Sequence, residues 1–124
     1  MAKTFYAPSH EYITVDGNIG YIGISEFAAK ELGNVTYVDM PEADDEFEAG
    51  EDFGAIESRK AASDLFAPVD IKVLDINDAL EADPTLINRD PLNNWIIKVE
   101  ISDPTQLDSL MDEKAYADFT AAEK

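Results

Sequence analysis

The chain has 124 residues, 45% of them apolar, with 27 acidic residues against 9 basic ones and a net charge of −18. This length and apolar content suit one globular domain, expected over residues 1–124, which can bury a core without metal or disulfide staples. The charge disfavours nucleic acid and anionic membranes, whose binding rests on neutralising phosphates, and the lack of cysteine excludes thiol chemistry, disulfides and thiolate metal sites.

The N-terminal stretch MAKTFYAPSHEY carries neither the apolar run of a signal peptide nor the Arg- and Ser-rich character of a transit peptide. No later apolar run is long enough to span a bilayer. A cytoplasmic protein, or a mature form already trimmed, is expected. Period-two alternation then marks a series of half-buried strands. Ile13 and Val15 precede Asp16-Gly17, a hairpin signal, and Ile19, Tyr21 and IGIS follow it. SEFAAKELG reads as a helix, with Ser25 as N-cap and Gly33 as its stop. In the next strand, Val35 and Tyr37 are expected on one face, Val38 and Met40 on the other. PEADDEFEAGED reads as an acidic loop between strands. FGAIES and DLFAPV read as two strands around Lys60. Ile71 and Val73 point one way, Leu74 and Ile76 the other. In WIIKVEIS, Trp95, Ile97, Val99 and Ile101 share a face opposite Lys98, Glu100 and Ser102. SDPTQLDSLMDEKAYADF begins with Asp103 as N-cap and Pro104 at the first helical position, and a break near Asp112 splits it into two short helices. Short strands with turn signals and a few peripheral helices predict an antiparallel sandwich or flattened barrel.

Several functional templates fail. Asp44, Asp45 and Glu46 are contiguous, without the alternating ligands and glycine of a calcium loop. GNIGYIG opens no helix of a βαβ unit, so it is not a dinucleotide fingerprint. A catalytic triad would need His10, the one histidine, yet no serine sits in a nucleophile elbow. What remains is ESRKAASD, with Lys60 at or near a hairpin tip and Ala61, Ala62 and Ser63 leaving it open. Most such lysines only aid solubility; a lysine so placed also suits covalent modification, where the amine must enter another enzyme's active site.

ESRKAASDLFAPV resembles the lipoylation segment of the glycine cleavage system H protein, usually written ESVKAASDLYAPV. APSHEY resembles that family's SHEW motif, and IGISEFAAKELGNVTYVDMPE its GIT..A...LGDIV.VELPE stretch. The stretch from Asp75 to Leu80, PTLIN at Pro84, WIIKVE at Trp95 and a final helix near Tyr116 follow the family order. The resemblance implies a mainly β fold, the lipoyl-type barrel-sandwich hybrid of two antiparallel sheets with peripheral short helices and a C-terminal helix. It implies a non-catalytic carrier, with lipoate in amide linkage on Lys60 and Glu57 serving ligase recognition. The arm would take an aminomethyl group from a pyridoxal-phosphate glycine decarboxylase and deliver it to an aminomethyltransferase that uses tetrahydrofolate. A flavin-dependent dihydrolipoyl dehydrogenase would reoxidise it, and a lipoate ligase or lipoyltransferase would attach it. Ser9, Glu11 and Asp64 correspond to the family's cleft for the loaded arm. A monomer is expected, since self-association works against so high a charge.

Three family glycines are missing. Asp44 stands at one glycine position, PLNNW (with Asn93 and Asn94) lacks another, and Ile71 replaces a third in the turn after APV. If that turn kept its shape, Ile71 would be forced into a left-handed conformation, and Ile71→Gly would speed lipoylation. Two alternatives to glycine cleavage stand beside it: an H-like protein relaying lipoate to other lipoyl domains, and an unmodified H-like binding module. A biotin carrier is disfavoured, because that family flanks its lysine with methionines where this chain has Arg59 and Ala61.

Overall fold

In the computed structural model of the chain, residues 3–122 are described. The strands are β1 (Lys3–Tyr6), β2 (Glu11–Asp16), β3 (Ile19–Ile24), β4 (Val35–Asp39), β5 (Glu46–Phe47), β6 (Asp52–Ser58), β7 (Ala62–Phe66), β8 (Ile71–Ile76) and β9 (Ile97–Ile101). The helices are α1 (Glu26–Leu32), α2 (Ala79–Ala82), α3 (Leu86–Arg89) and α4 (Glu113–Ala122), with a 3₁₀ segment at Pro104–Ser109. The strands form two antiparallel sheets, one in the order β1-β2-β3-β9-β8-β5 and one in the order β4-β6-β7. This is the mainly β, two-sheet fold with short helices and a C-terminal helix. Among the described residues, no helix is long and apolar enough to cross a membrane.

Local chemistry sets the boundaries. Asp16 pairs with Ile19, so Gly17 and Asn18 close a two-residue hairpin, with Gly17 at φ 65°. Ser25 caps α1 by accepting the Ala28 N–H at 3.1 Å, and Gly33 ends it at φ 74°. Asp103 caps the 3₁₀ segment through the Thr105 N–H, with Pro104 at its first position. The predicted break falls where Met111 leaves the helical path to pair with Tyr6. Between the sheets lies one apolar core, in which Ile13 and Ile22 meet Ile56, Leu65, Val73 and Val99, all nearly inaccessible. Burial of such side chains is the main favourable term in holding two sheets together.

The structure departs from the sequence reading at five places. In β4, Val35 and Val38 are both buried while Tyr37 stands out, 54% exposed. A register shift between Val35 and Tyr37 inserts an extra residue and resets the alternation. In β8, a register shift between Val73 and Asp75 leaves Leu74 37% exposed and sets Ile76 opposite Ile97, on the core side with Ile71 and Val73 rather than with Leu74. Trp95 does not share the face of Ile97: it precedes β9 and packs on Tyr21, beside Lys98, with ring centroids 5.3 Å apart. Ile96, not Trp95, is the buried neighbour. The acidic loop contains β5, paired with β8. α2 and α3, four residues each, were not foreseen.

The missing glycines are accommodated in three different ways. Ile71 is not in a strained turn: it opens β8, faces Ile101 and Phe47, and is 1% exposed. Its φ is not positive, so no left-handed strain exists for a glycine to relieve. Asp44 does take the left-handed conformation, at φ 75°, held by its N–H to the Val73 carbonyl at 2.8 Å; aspartate tolerates that region better than most residues. In the glycine-free loop before Trp95, the Asn94 side chain donates to the carbonyls of Leu86 and Asp90, both at 3.0 Å, and Asn93 donates to the Asp90 carboxylate at 2.6 Å.

Candidate functional site

β6 and β7 form a hairpin whose tip is Arg59-Lys60. The Ser58 N–H donates to the Ala61 carbonyl at 2.8 Å. The return bond comes from a side chain: Ser58 Oγ accepts the N–H of Lys60 at 3.2 Å and that of Ala61 at 3.1 Å. A hydroxyl mimicking a backbone carbonyl closes the turn without a glycine. Neither Arg59 nor Lys60 has positive φ. The tip is therefore fixed while its side chains are free, and Lys60, Ala61, Ala62 and Ser63 are all exposed. The Lys60 stem passes the end of α1, where a Cβ on Gly33 would stand 3.9 Å from Lys60 Cε.

Beside this tip opens a cleft of about 530 Å³. Three stretches line it: Ser9, His10 and Glu11 before and at the start of β2; Phe27, Ala28, Glu31 and Leu32 on α1; and Ser63, Asp64 and Leu65 on β7, with Ile24 and Ile56 beneath. Asp64, far in sequence from Ser9 and Glu11, thus shares one cavity with them. Asp64 follows the Lys60 turn directly, and Leu32 precedes the glycine that the lysine stem crosses. Glu57 stands apart: it is exposed on β6, paired with Ala62 and Tyr37, and does not line the cleft.

Glu11 is 2% exposed, so its carboxylate needs partners. The Ser9 hydroxyl donates to Oε1, and the Phe66 N–H donates to Oε2 at 3.1 Å. β7 is an edge strand, and this side chain satisfies a backbone donor that no neighbouring strand reaches. Burial pushes the Glu11 carboxyl above its ordinary pKa, and the bonds from Ser9 and Phe66 act against that rise. The cleft therefore combines apolar walls with three carboxylates, on Glu11, Glu31 and Asp64. Such a lining fits a flexible apolar chain that ends in a cationic group. Among the described residues, no group of histidine and carboxylate side chains is placed to hold a metal ion.

Two parts of the site were missed in the sequence. One is the wall supplied by Phe27, Ala28 and Leu32 of α1, a segment that the sequence marks only as a helix. The other is His10, which lines the cleft at φ 77° with its Nδ1 2.6 Å from the Tyr116 hydroxyl. Nothing in a single sequence marks a histidine as left-handed.

A family model described as glycine cleavage H-protein matches residues 4–123. The glycine cleavage system H protein of Alkaliphilus oremlandii (strain OhILAs) is 46% identical over 123 residues, covering 99% of this chain and 97% of that protein. That of Carboxydothermus hydrogenoformans is 49% identical over 112 residues, covering 90% of this chain and 86% of the relative. Among solved structures, a glycine cleavage system H protein from Mycobacterium marinum matches with a TM-score of 0.84 and 29% identity, over 96% of this chain and 97% of that one. Whole-length agreement in sequence and in fold carries the conclusion: this chain belongs to the glycine cleavage H-protein family.

Proposed function

We propose that the protein is the lipoyl carrier of a glycine cleavage system, with lipoate in amide linkage on Lys60. The observation that carries this reading is an exposed lysine at a side-chain-closed turn, beside a cleft lined by Ser9, Glu11 and Asp64. The residues fit the group. Lys60 Nζ is the nucleophile that a ligase acylates, and the lining offers apolar surface for a hydrocarbon arm. Bound lipoate supplies a redox-active disulfide at the end of a long tether, chemistry that a chain without cysteine does not have.

The protein's own part is then to present, receive and protect. The fixed turn presents Lys60 to a ligase or transferase, with Glu57 as an acidic landmark three residues before it. Phe27, Leu32 and Leu65 exclude water from the arm when it carries an aminomethyl group. Asp64 and Glu11 accept hydrogen bonds from the cationic nitrogen of that cargo. The chain performs no bond-making step itself. A glycine decarboxylase loads the cargo, an aminomethyltransferase unloads it, and dihydrolipoyl dehydrogenase restores the disulfide.

The test is reconstitution of glycine cleavage from those three enzymes with lipoylated protein. Wild type supports ammonia release, and Lys60→Arg does not. A lipoylated wild type that supports none, yet donates lipoate to another lipoyl domain, replaces this reading with the relay.

A further inference from the structure

Two of the three stretches that line the cleft are the loop that carries Ser9 and His10 and the helix α1. Both meet at one atom on a third element. Tyr116 of α4 is 7% exposed, and its ring stacks on Tyr6 with centroids 4.2 Å apart. Its hydroxyl lies 2.6 Å from His10 Nδ1 and 2.6 Å from Ser25 Oγ. Ser25 is the N-cap of α1, and its own N–H donates to the His10 carbonyl at 2.9 Å.

We propose that the Tyr116 hydroxyl is a positioning group for the cleft, by which the C-terminal helix locks the His10 loop and α1 in register. A phenol can donate one hydrogen bond and accept two, so it can join an imidazole nitrogen and a serine hydroxyl whichever way the protons run. The stack on Tyr6 alone would need only a phenylalanine; two short polar contacts from a buried ring need the oxygen. The left-handed φ of 77° at His10 needs such a clamp, since non-glycine residues hold that conformation only where their surroundings impose it. Neither His10 nor Ser25 can shift without straining the other, because their backbones are bonded as well. The role in protecting cargo rests on the function proposed above; the clamp itself does not.

The first test therefore uses the protein without lipoate. Tyr116→Phe keeps the ring stack and removes the oxygen. Amide exchange at Ser25, Ala28 and Ala29 is expected to quicken by about fivefold, the factor for one neutral hydrogen bond, with β8 and β9 unchanged. Should Tyr116→Phe fail to fold, the clamp is read from its other end. His10→Asn tolerates left-handed φ and places an amide near the Nδ1 position, so it keeps slow exchange there, while His10→Gly loses it. Wild-type exchange in Tyr116→Phe, or equal exchange in the two His10 variants, overturns the clamp.

The second test uses lipoylated, aminomethyl-loaded protein with no transferase present. Leakage is hydrolysis: water gives its oxygen to the methylene carbon, the C–S and C–N bonds break, and formaldehyde, ammonium and the free thiol leave, with no net oxidation. Tyr116→Phe leaks several-fold faster than wild type, while the KM of the decarboxylase for the carrier is unchanged. Equal leakage despite faster exchange would overturn the cargo-protecting role. A protein that cannot be lipoylated overturns the proposed function and leaves the exchange test standing.

Discussion

The Phe66 N–H points at the Glu11 carboxylate, 3.1 Å away, across a gap that no strand fills. This bond joins the edge strand that follows the Lys60 turn to the opposite side of the cleft, and it makes a buried acid part of the architecture. It also makes stability depend on pH in a defined direction. Burial raises the Glu11 pKa above its ordinary 4.5, so the folded protein binds a proton over a window in which the unfolded chain has released it. Stability contributed through this group is therefore full below 4.5 and is lost as pH rises through the raised folded value. Glu11→Gln has no proton to exchange. Urea denaturation between pH 4.5 and neutrality should show a shallower fall in the variant than in wild type. The difference is about 1.4 kcal/mol for each unit by which the folded pKa is raised. Parallel curves would mean that Glu11 titrates as it does in the unfolded chain.

Gly54 of β6 lies against the backbone at the end of β4. A Cβ there would lie 2.2 Å from the Asp39 carbonyl oxygen, a backbone atom that cannot swing aside. Gly54→Ala must part the two strands, at a cost of at least about 1–3 kcal/mol, the usual range for overpacking. Equilibrium denaturation measures it, and a loss below 0.5 kcal/mol would mean that the sheet edge relaxes freely (a surface-like response).

At Gly33 the space is open and the backbone is not. A Cβ would meet only Lys60 Cε, at an ordinary 3.9 Å, but φ is 74°. Gly33→Ala is expected to cost at least about 1–3 kcal/mol, because φ 74° with ψ −156° lies in a region essentially confined to glycine, while leaving the rate of lipoylation within twofold of wild type. A large fall in that rate, with the cost in stability as stated, would show that the lysine needs the bare glycine surface.

Ile71 gives the opposite result to the one its alignment with a glycine suggests. It is a core residue of β8, so Ile71→Gly removes a buried side chain and should cost at least the 2–5 kcal/mol of a large-to-alanine change, roughly. It should not speed lipoylation. A stabilised variant, read by thermal denaturation, would mean that the strand begins later than Ile71.

These contrasts show where the sequence was informative. Signals confined to a few neighbouring residues held: Gly17 at its hairpin, Ser25 and Gly33 at the ends of α1, Asp103-Pro104 at the start of the 3₁₀ segment, and Lys60 at its turn. Signals that extrapolate a period failed at bulges. One inserted residue near Thr36 puts Tyr37 in solvent and Val38 inside. Helices of four residues complete barely one turn, so α2 and α3 show no apolar stripe. A glycine lost from a motif had no single meaning: Asp44 keeps the left-handed backbone, and Ile71 changes the local structure instead. The cleft is assembled from residues 9–11, 27–32 and 63–65, and only the topology brings them together. The resemblance to a known family pointed to Ser9, Glu11 and Asp64, whereas the α1 wall and the His10–Tyr116 contact needed the fold.

The most direct measurement is the mass of the protein made in cells supplied with lipoate, followed by peptide mapping. One lipoyl group is predicted, on the peptide that contains Lys60, and Lys60→Arg should give protein of unmodified mass. An unmodified wild type under conditions that lipoylate another carrier, or a lipoyl group on any other lysine, would contradict the account.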